Sequence, residues 1–164
     1  MTRRSEWDGR SLTELAHSWD VPFVEAHARI GSTNDRAAQL AKHGGSPGTV
    51  IVTDEQTAGR GRRGSVWQSP AKMGLWMSVL VGDRAKFPQL PLLVGLACAE
   101  GIEAHVDGVR VEVKWPNDLL IGGRKVGGIL CEATETGVVV GIGVNVMTPS
   151  GGFPREISSF STSL

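Results

Sequence analysis

Gly59-Arg60-Gly61-Arg62-Arg63-Gly64-Ser65-Val66-Trp67-Gln68-Ser69-Pro70 is the stretch on which the fold turns. Its first half is formally G-x-G-x-x-G, with three arginines set among the glycines. A doubly wound dinucleotide fold needs a helix to open at the third glycine, so that its N-terminus can meet a pyrophosphate. Here a serine, a β-branched valine, a bulky tryptophan and a proline follow, a poor helix start, and that fold is excluded. With Val66 the string also fits the glycine-rich loop of protein kinases. No H-R-D, D-F-G or V-A-I-K element occurs, and the chain is too short for that fold. A phosphate-cradling G-x-x-x-x-G-K-[ST] is absent as well. What remains is a glycine-opened loop with clustered guanidinium groups. It can close on a small anion or lie as a solvated basic loop.

Outward from this loop, helical and strand patterns alternate without internal repeats. Upstream, Ser11 and Glu14 have the spacing of a capping box, and Leu12, Leu15, Ala16 and Trp19 form one helical face. Val24 to Ile30 reads as a strand. Ser32-Thr33-Asn34 caps a helix whose apolar face uses Ala37, Ala38, Leu40 and Ala41 and which ends near Gly44-Gly45. Thr49 to Thr53 is a short buried strand leading into the loop. Downstream, Leu75 to Val81 is a strand, and Pro88 to Val106 predicts a long, mostly buried helix using Leu92, Leu93, Leu96, Ala97 and Ile102.

The second half is strand-rich. Val109, Val111 and Val113 alternate with Arg110, Glu112 and Lys114, the period of a half-buried strand. Pro116 and Asn117-Asp118 interrupt pairing. Leu119–Ile121 and Val126–Ala133 read as a hairpin around Gly122-Gly123, and Val138–Val146 follows the turn at Glu135-Thr136-Gly137. The sum is a single α+β domain over residues 1–164, with a largely antiparallel mixed sheet and helices packed on one face.

Lysine plus arginine equals aspartate plus glutamate, 17 each, so the arginines of the loop are a local feature. A general nucleic-acid binder would be more basic. Cys98 and Cys131 lie in apolar runs and read as core fillers in a reducing compartment. No apolar stretch is long enough to span a bilayer, so the expectation is a soluble, cytoplasmic protein without a membrane partner.

Lys114 is the second informative residue. It ends the valine alternation on the polar face, where Trp115 and Pro116 stop the strand, and alone it reads as a surface lysine. If it shares one mouth with the glycine–arginine loop, the two can neutralise a carboxylate and a phosphate held side by side. Adenylate formation makes that demand.

Ser32-Thr33-Asn34, Glu55 through Gly64, Lys114-Trp115-Pro116-Asn117-Asp118, Lys125-Val126-Gly127-Gly128-Ile129-Leu130 and Gly141-Ile142-Gly143-Val144-Asn145 occur in this order. Together they resemble the catalytic domain of biotin protein ligases, over roughly Ile30 to Val146. The resemblance implies synthesis of biotinyl-5′-adenylate from biotin and ATP with magnesium. Transfer of biotin to a lysine of a biotin carboxyl carrier domain would follow.

By the same resemblance, Ser32, Thr33, Asn34 and Gln56 would hydrogen-bond the biotin head group. Gly59, Arg60, Gly61 and Arg62 would belong to the loop closing over biotin, and Gly128 would lie against its rings. Lys114 would contact the biotin carboxylate and the α-phosphate, with Arg62 as its catalytic companion. Arg60, Arg62, Trp67, Lys114 and Asn145 would meet the nucleotide, and no residue is assigned to a metal. No nucleophile is needed from the protein, because the biotin carboxylate and then the carrier lysine attack.

Only about thirty residues precede the first motif, so no DNA-binding domain and no DNA partner are expected. Ser161-Thr162-Ser163-Leu164 resembles the point at which family members enter further helices and a small SH3-like domain. Relative to the family the chain reads as C-terminally incomplete. Two other functions stay open: a biotin-binding remnant or split-protein half that needs a partner for turnover, and a related lipoate or octanoate transferase. A homodimer through sheet edges is a further expectation.

Overall fold

β-Branched residues at alternating and continuous positions supply most of the sheet, and they decide where it needs cover. The computed structural model describes residues 2–82 and 88–164. Its elements run β1 (Thr2–Arg4), β2 (Glu6–Trp7), β3 (Arg10–Ser11), α1 (Leu12–Ser18), β4 (Val24–Arg29), α2 (Thr33–Lys42), β5 (Val50–Thr53) and β6 (Gly74–Gly82). They continue with α3 (Leu90–His105), β7 (Glu112–Lys114), β8 (Asp118–Ile121), β9 (Arg124–Ala133) and β10 (Gly137–Asn145). Eight strands form one sheet in the order β1-β4-β5-β6-β10-β9-β8-β7, and β2 pairs with β3 alone. Only β4 and β5 run parallel; every other neighbouring pair is antiparallel. The α+β class and the largely antiparallel sheet are as the sequence predicts.

Two local signals act as read. Ser11 and Glu14 complete a reciprocal capping box at α1. Gly122 and Gly123 take φ of 55° and 75°, the left-handed pair that a two-residue turn between β8 and β9 requires.

The helices do not share one face. Val50 and Val52 pack toward Leu15 of α1, whereas Ile51 between them packs with Ala37 and Ala41 of α2. Val138 and Val140 of β10 join Val94, Cys98 and Ile102 of α3, while Val139 joins the α2 cluster. The register pairs Val50 with Val79 and Val79 with Val140, so α1 and α3 cover one face and α2 the other. The expectation of helices on one face is corrected accordingly: β5 and β10 are apolar on both sides and require cover on both. α3 also differs from the mostly buried helix expected. Gly95 and Ala99 are its buried residues, and Leu93 and Leu96 face outward.

Under α2 lies a buried charge cluster. Arg36 of α2 donates to both carboxylate oxygens of Glu25 on β4, at 2.6 and 2.9 Å. His27 Nε2 lies 2.7 Å from Glu25 Oε1, and Arg3 lies 3.6 Å from Oε2. Glu25 and His27 are almost wholly buried. Burial pushes the Glu25 carboxyl up, but hydrogen bonds from Arg36 and His27 and the charges of Arg36 and Arg3 hold it down at about 2. Its folded pKa lies below its ordinary 4.5, so its stabilisation is present above that pH and is lost as pH falls toward 2. The shift corresponds to about 3 kcal/mol. Urea unfolding at stepped pH between 5 and 2.5 should show the wild type losing about 2 kcal/mol more stability than Glu25→Gln, most of the shift. Parallel curves for the two proteins would remove Glu25 as the source.

Candidate active site

On the α2 face, the sheet beyond the helix loses its side chains. Val139 packs against α2, but the next residues of β10 on that face are Gly141 and Gly143, and Gly128 pairs with Gly143 across β9. The bare strands floor a cavity of about 1130 Å³. Trp67 lies over this floor: a Cβ at Gly143 would stand 2.5 Å from its Nε1 and one at Gly128 3.6 Å from its Cζ3. Trp76 meets Trp67 edge-on, with ring centroids 6.3 Å apart. Apolar side chains of the segment after β10, including Phe153, Ile157 and Phe160, line the same cavity.

At the α2 end, polar groups converge. Ser32 is the N-cap, which sets Thr33 and Asn34 in the first turn, all three buried. Gln56 Oε1 accepts from the Thr33 backbone N–H at 2.9 Å and from its hydroxyl at 3.1 Å, while Nε2 donates to Ser69 at 2.8 Å. A backbone N–H can only donate, so this contact fixes the orientation of the Gln56 amide. Ser78 Oγ lies 2.6 Å from Asn34 Oδ1 and 2.7 Å from Thr33 Oγ1. The carbonyl oxygen only accepts, so Ser78 gives it a proton. Asn34 Nδ2 donates to Glu132 Oε2 at 2.6 Å. This network presents a neutral polar head group with fixed donors and acceptors.

Cations line the same cavity: Arg60 beside the first turn of α2, and Arg62, Arg63 and Lys125. A short 3₁₀ turn spans Arg62–Gly64, with Arg63 at φ 55°. Arg62 Nη1 donates to Asn117 Oδ1 at 3.1 Å, which ties the loop to the segment after β7. Lys125 Nζ pairs with Asp118 at 2.6 Å and stands 5.3 Å from the Trp67 ring centroid. Hydrogen bonds to Asp35 and Glu132 raise the Arg60 pKa further, keeping that guanidinium charged. The arrangement suits a ligand with a polar head, an apolar body and an anionic tail.

Of the residues expected from sequence, Ser32, Thr33, Asn34, Gln56, Arg60, Gly61, Arg62, Trp67, Gly128 and Asn145 come together around this cavity. Asn145 Nδ2 also donates to the Thr162 carbonyl at 3.0 Å, holding the chain after β10 at the cavity wall. Gly59 is buried behind the loop, where a Cβ would strike the Trp67 carbonyl, and it does not line the cavity. Lys114 does not line it either. It is exposed on β7, directly opposite Asp118 of β8, which does line the cavity. Residues directly opposite share a face, so Lys114 stands at the rim, one side chain removed.

Sequence reasoning missed Lys125, Ser78 and Glu132. Lys125 lies within a quoted motif and follows a glycine turn, a signal that could have marked it. Ser78 and Glu132 are single polar residues in strand patterns, and only the register brings them to Asn34. Among the described residues no group of three or more His, Cys, Asp or Glu side chains could hold a metal ion.

The cavity, its glycine strands and its polar lining define a candidate ligand site on a mixed sheet. Residues 26–147 match the biotin/lipoate A/B protein ligase family, and the chain belongs to that family. It is 45% identical over 143 residues to the bifunctional ligase/repressor BirA of Bacillus spizizenii, covering 82% of this chain and 44% of that protein. It is 36% identical over 150 residues to the biotin–[acetyl-CoA-carboxylase] ligase of Mycobacterium tuberculosis, covering 86% and 54%. The chain thus spans about half the length of the curated relatives it matches. The biotin protein ligase from Aquifex aeolicus in complex with biotin and ATP superposes with a TM-score of 0.76 at 35% identity, over 85% of this chain and 58% of that one. The Leishmania major enzyme in complex with biotinyl-5-AMP gives 0.74 at 32% identity, over 87% and 63%.

Proposed function

We propose that this domain activates biotin with ATP and passes it to a protein lysine. The observation that carries the proposal is one cavity lined by Thr33, Asn34, Gln56 and Arg60 near the start of α2 and by Arg62 and Lys125 farther along β9, beside glycine strands on which the Trp67 indole lies. Biotin has a neutral ureido head, an apolar bicycle and chain, and a carboxylate, and this order fits the cavity. In the first step the carboxylate oxygen attacks the α-phosphorus of ATP. The bond to the β-phosphate breaks and pyrophosphate leaves. In the second, a lysine amine of a biotin carboxyl carrier domain attacks the mixed-anhydride carbonyl, an amide forms and AMP departs.

The chain supplies position and charge. Thr33, Asn34 and Gln56 orient the head, with Ser32 fixing the helix turn that carries them. Arg62 and Lys114 lower the repulsion between carboxylate and phosphate, Arg60, paired with Asp35 and Glu132, seats the loop, and Trp67 and Asn145 border the nucleotide. Magnesium, when bound with the nucleotide, would supply positive charge to its phosphates.

The relatives act on biotin or are solved with biotin and ATP, by their names, and this supports the same substrates here. Both cysteines are free thiols, which suits a reducing cytoplasm. Among the described residues no helix is long and apolar enough to cross a membrane. β1 and β7 end the sheet, so a homodimer by edge pairing belongs to the same proposal and is read by sedimentation.

Incubation with magnesium and ATP plus biotin should yield biotinyl-adenylate and pyrophosphate, and lipoate should yield neither. Biotin binding without either product would mean that a partner completes turnover. Activation of lipoate in place of biotin would overturn the substrate assignment.

A further inference from the structure

We propose that Glu132 is the positioning residue that couples closure of the glycine–arginine loop to recognition of the head group. The inference rests on the biotin-activating function proposed above. Glu132 lies on β9 beside the cavity floor, and its carboxylate serves two partners at once. Asn34 Nδ2 donates to Oε2 at 2.6 Å, and Arg60 Nη2 reaches both oxygens at 3.0 and 2.9 Å. Arg60 Nη1 meets Asp35 in the first turn of α2 at 2.6 Å. One guanidinium therefore bridges β9 and α2, and the loop that carries it is held across the cavity mouth.

The carboxylate also settles which way Asn34 faces. Glu132 only accepts, so it selects Nδ2, and Oδ1 is left to accept from Ser78. Gly141 makes room for this amide, since a Cβ there would collide with Asn34 Oδ1. Removing the Glu132 charge thus acts at both ends: the loop loses its seat and the amide loses the partner that fixes it. Asp35, more exposed than Glu132, holds the loop alone and has no hold on Asn34.

An isolated pair this exposed would contribute little, but three charge-assisted hydrogen bonds from two partners converge on one carboxylate. Trypsin reads the loop directly, because Arg60, Arg62 and Arg63 are its cleavage sites. In the ligand-free protein, Glu132→Gln should raise the rate of cleavage in the loop about tenfold, with an unchanged Tm. Arg60→Ala should match it at the remaining two arginines without touching β9. Asp35→Asn should raise cleavage to a similar degree yet leave biotin affinity within about twofold, whereas Glu132→Gln weakens biotin about tenfold.

Cleavage within twofold of the wild type in both Glu132→Gln and Arg60→Ala would overturn the loop anchor. Equal biotin affinity in Glu132→Gln and Asp35→Asn would overturn the coupling. The protease arm uses no ligand, and wild-type biotin binding is measured beside it. Failure of this inference is therefore distinct from failure of biotin recognition itself.

Discussion

Gly143→Val is expected to abolish biotin binding, by at least about a hundredfold, in a domain that still folds. Gly143 sits near the C-terminal end of β10, paired with Trp76 and Gly128, in a strand where valine is a favourable residue. Its backbone has no positive φ, so the substitution imposes no strain on the chain. The cost falls on the cavity. A Cβ would stand 2.5 Å from Trp67 Nε1 and 2.7 Å from Cε2, and the two added methyls extend further onto the floor. The rigid indole must leave its place, and the space next to the bare strands is filled. A ligand whose body packs against that indole loses its packing and its position together. Isothermal titration with biotin reads the effect, and circular dichroism and Tm confirm the fold. Biotin affinity within about tenfold of the wild type would show that the ligand does not pack against the Trp67 indole.

The glycines of β10 and the strings around them show what a single sequence can disclose. The excluded helix start after Gly64, the Ser32 cap and the Gly122-Gly123 turn depend on neighbours within a few residues, and each is legible. Which face a helix covers is a different matter. Val50-Ile51-Val52 reads as a buried strand, but nothing in it says that α1 takes one side and α2 the other. Leu93 and Leu96 fit a buried helix by composition, whereas their outward placement follows from the rotation of α3 on the sheet.

Glu25 and His27 interrupt an apolar strand and could not be read as buried, because their partner Arg36 comes from a helix laid over them. The candidate site divides in the same way. Ser32 to Asn34, Gln56 and the loop arginines sit in recognisable local strings. Glu132 and Ser78 become informative only through register, which places them beside Asn34. β1 was not anticipated at all, and its short polar sequence explains why.

Lys114→Ala should cut biotinyl-adenylate formation by at least about a hundredfold while biotin binding stays within a few-fold, as expected for loss of a charge that acts on the transition state. Two lysines flank the turn at Asp118, and their situations differ. Lys125 is committed to Asp118 at 2.6 Å, so much of its charge is already balanced. Among the described residues Lys114 makes no ion pair, and it stands opposite Asp118 on the same face of β7 and β8. An exposed lysine on a flexible stem reorients at small cost, so its ammonium can follow the incoming phosphate. The proposed reaction brings a carboxylate against a triphosphate, and the uncommitted cation is the one that can answer the new charge. Lys125→Ala should therefore lower the rate by only about tenfold, and part of that loss would come from leaving Asp118 unpaired beside the anions. Pyrophosphate exchange on both variants, with biotin binding measured in parallel, separates the roles. If Lys125→Ala abolishes exchange and Lys114→Ala exchanges at the wild-type rate, the catalytic cation is the one bound to Asp118, and Lys114 is a surface residue of the edge strand.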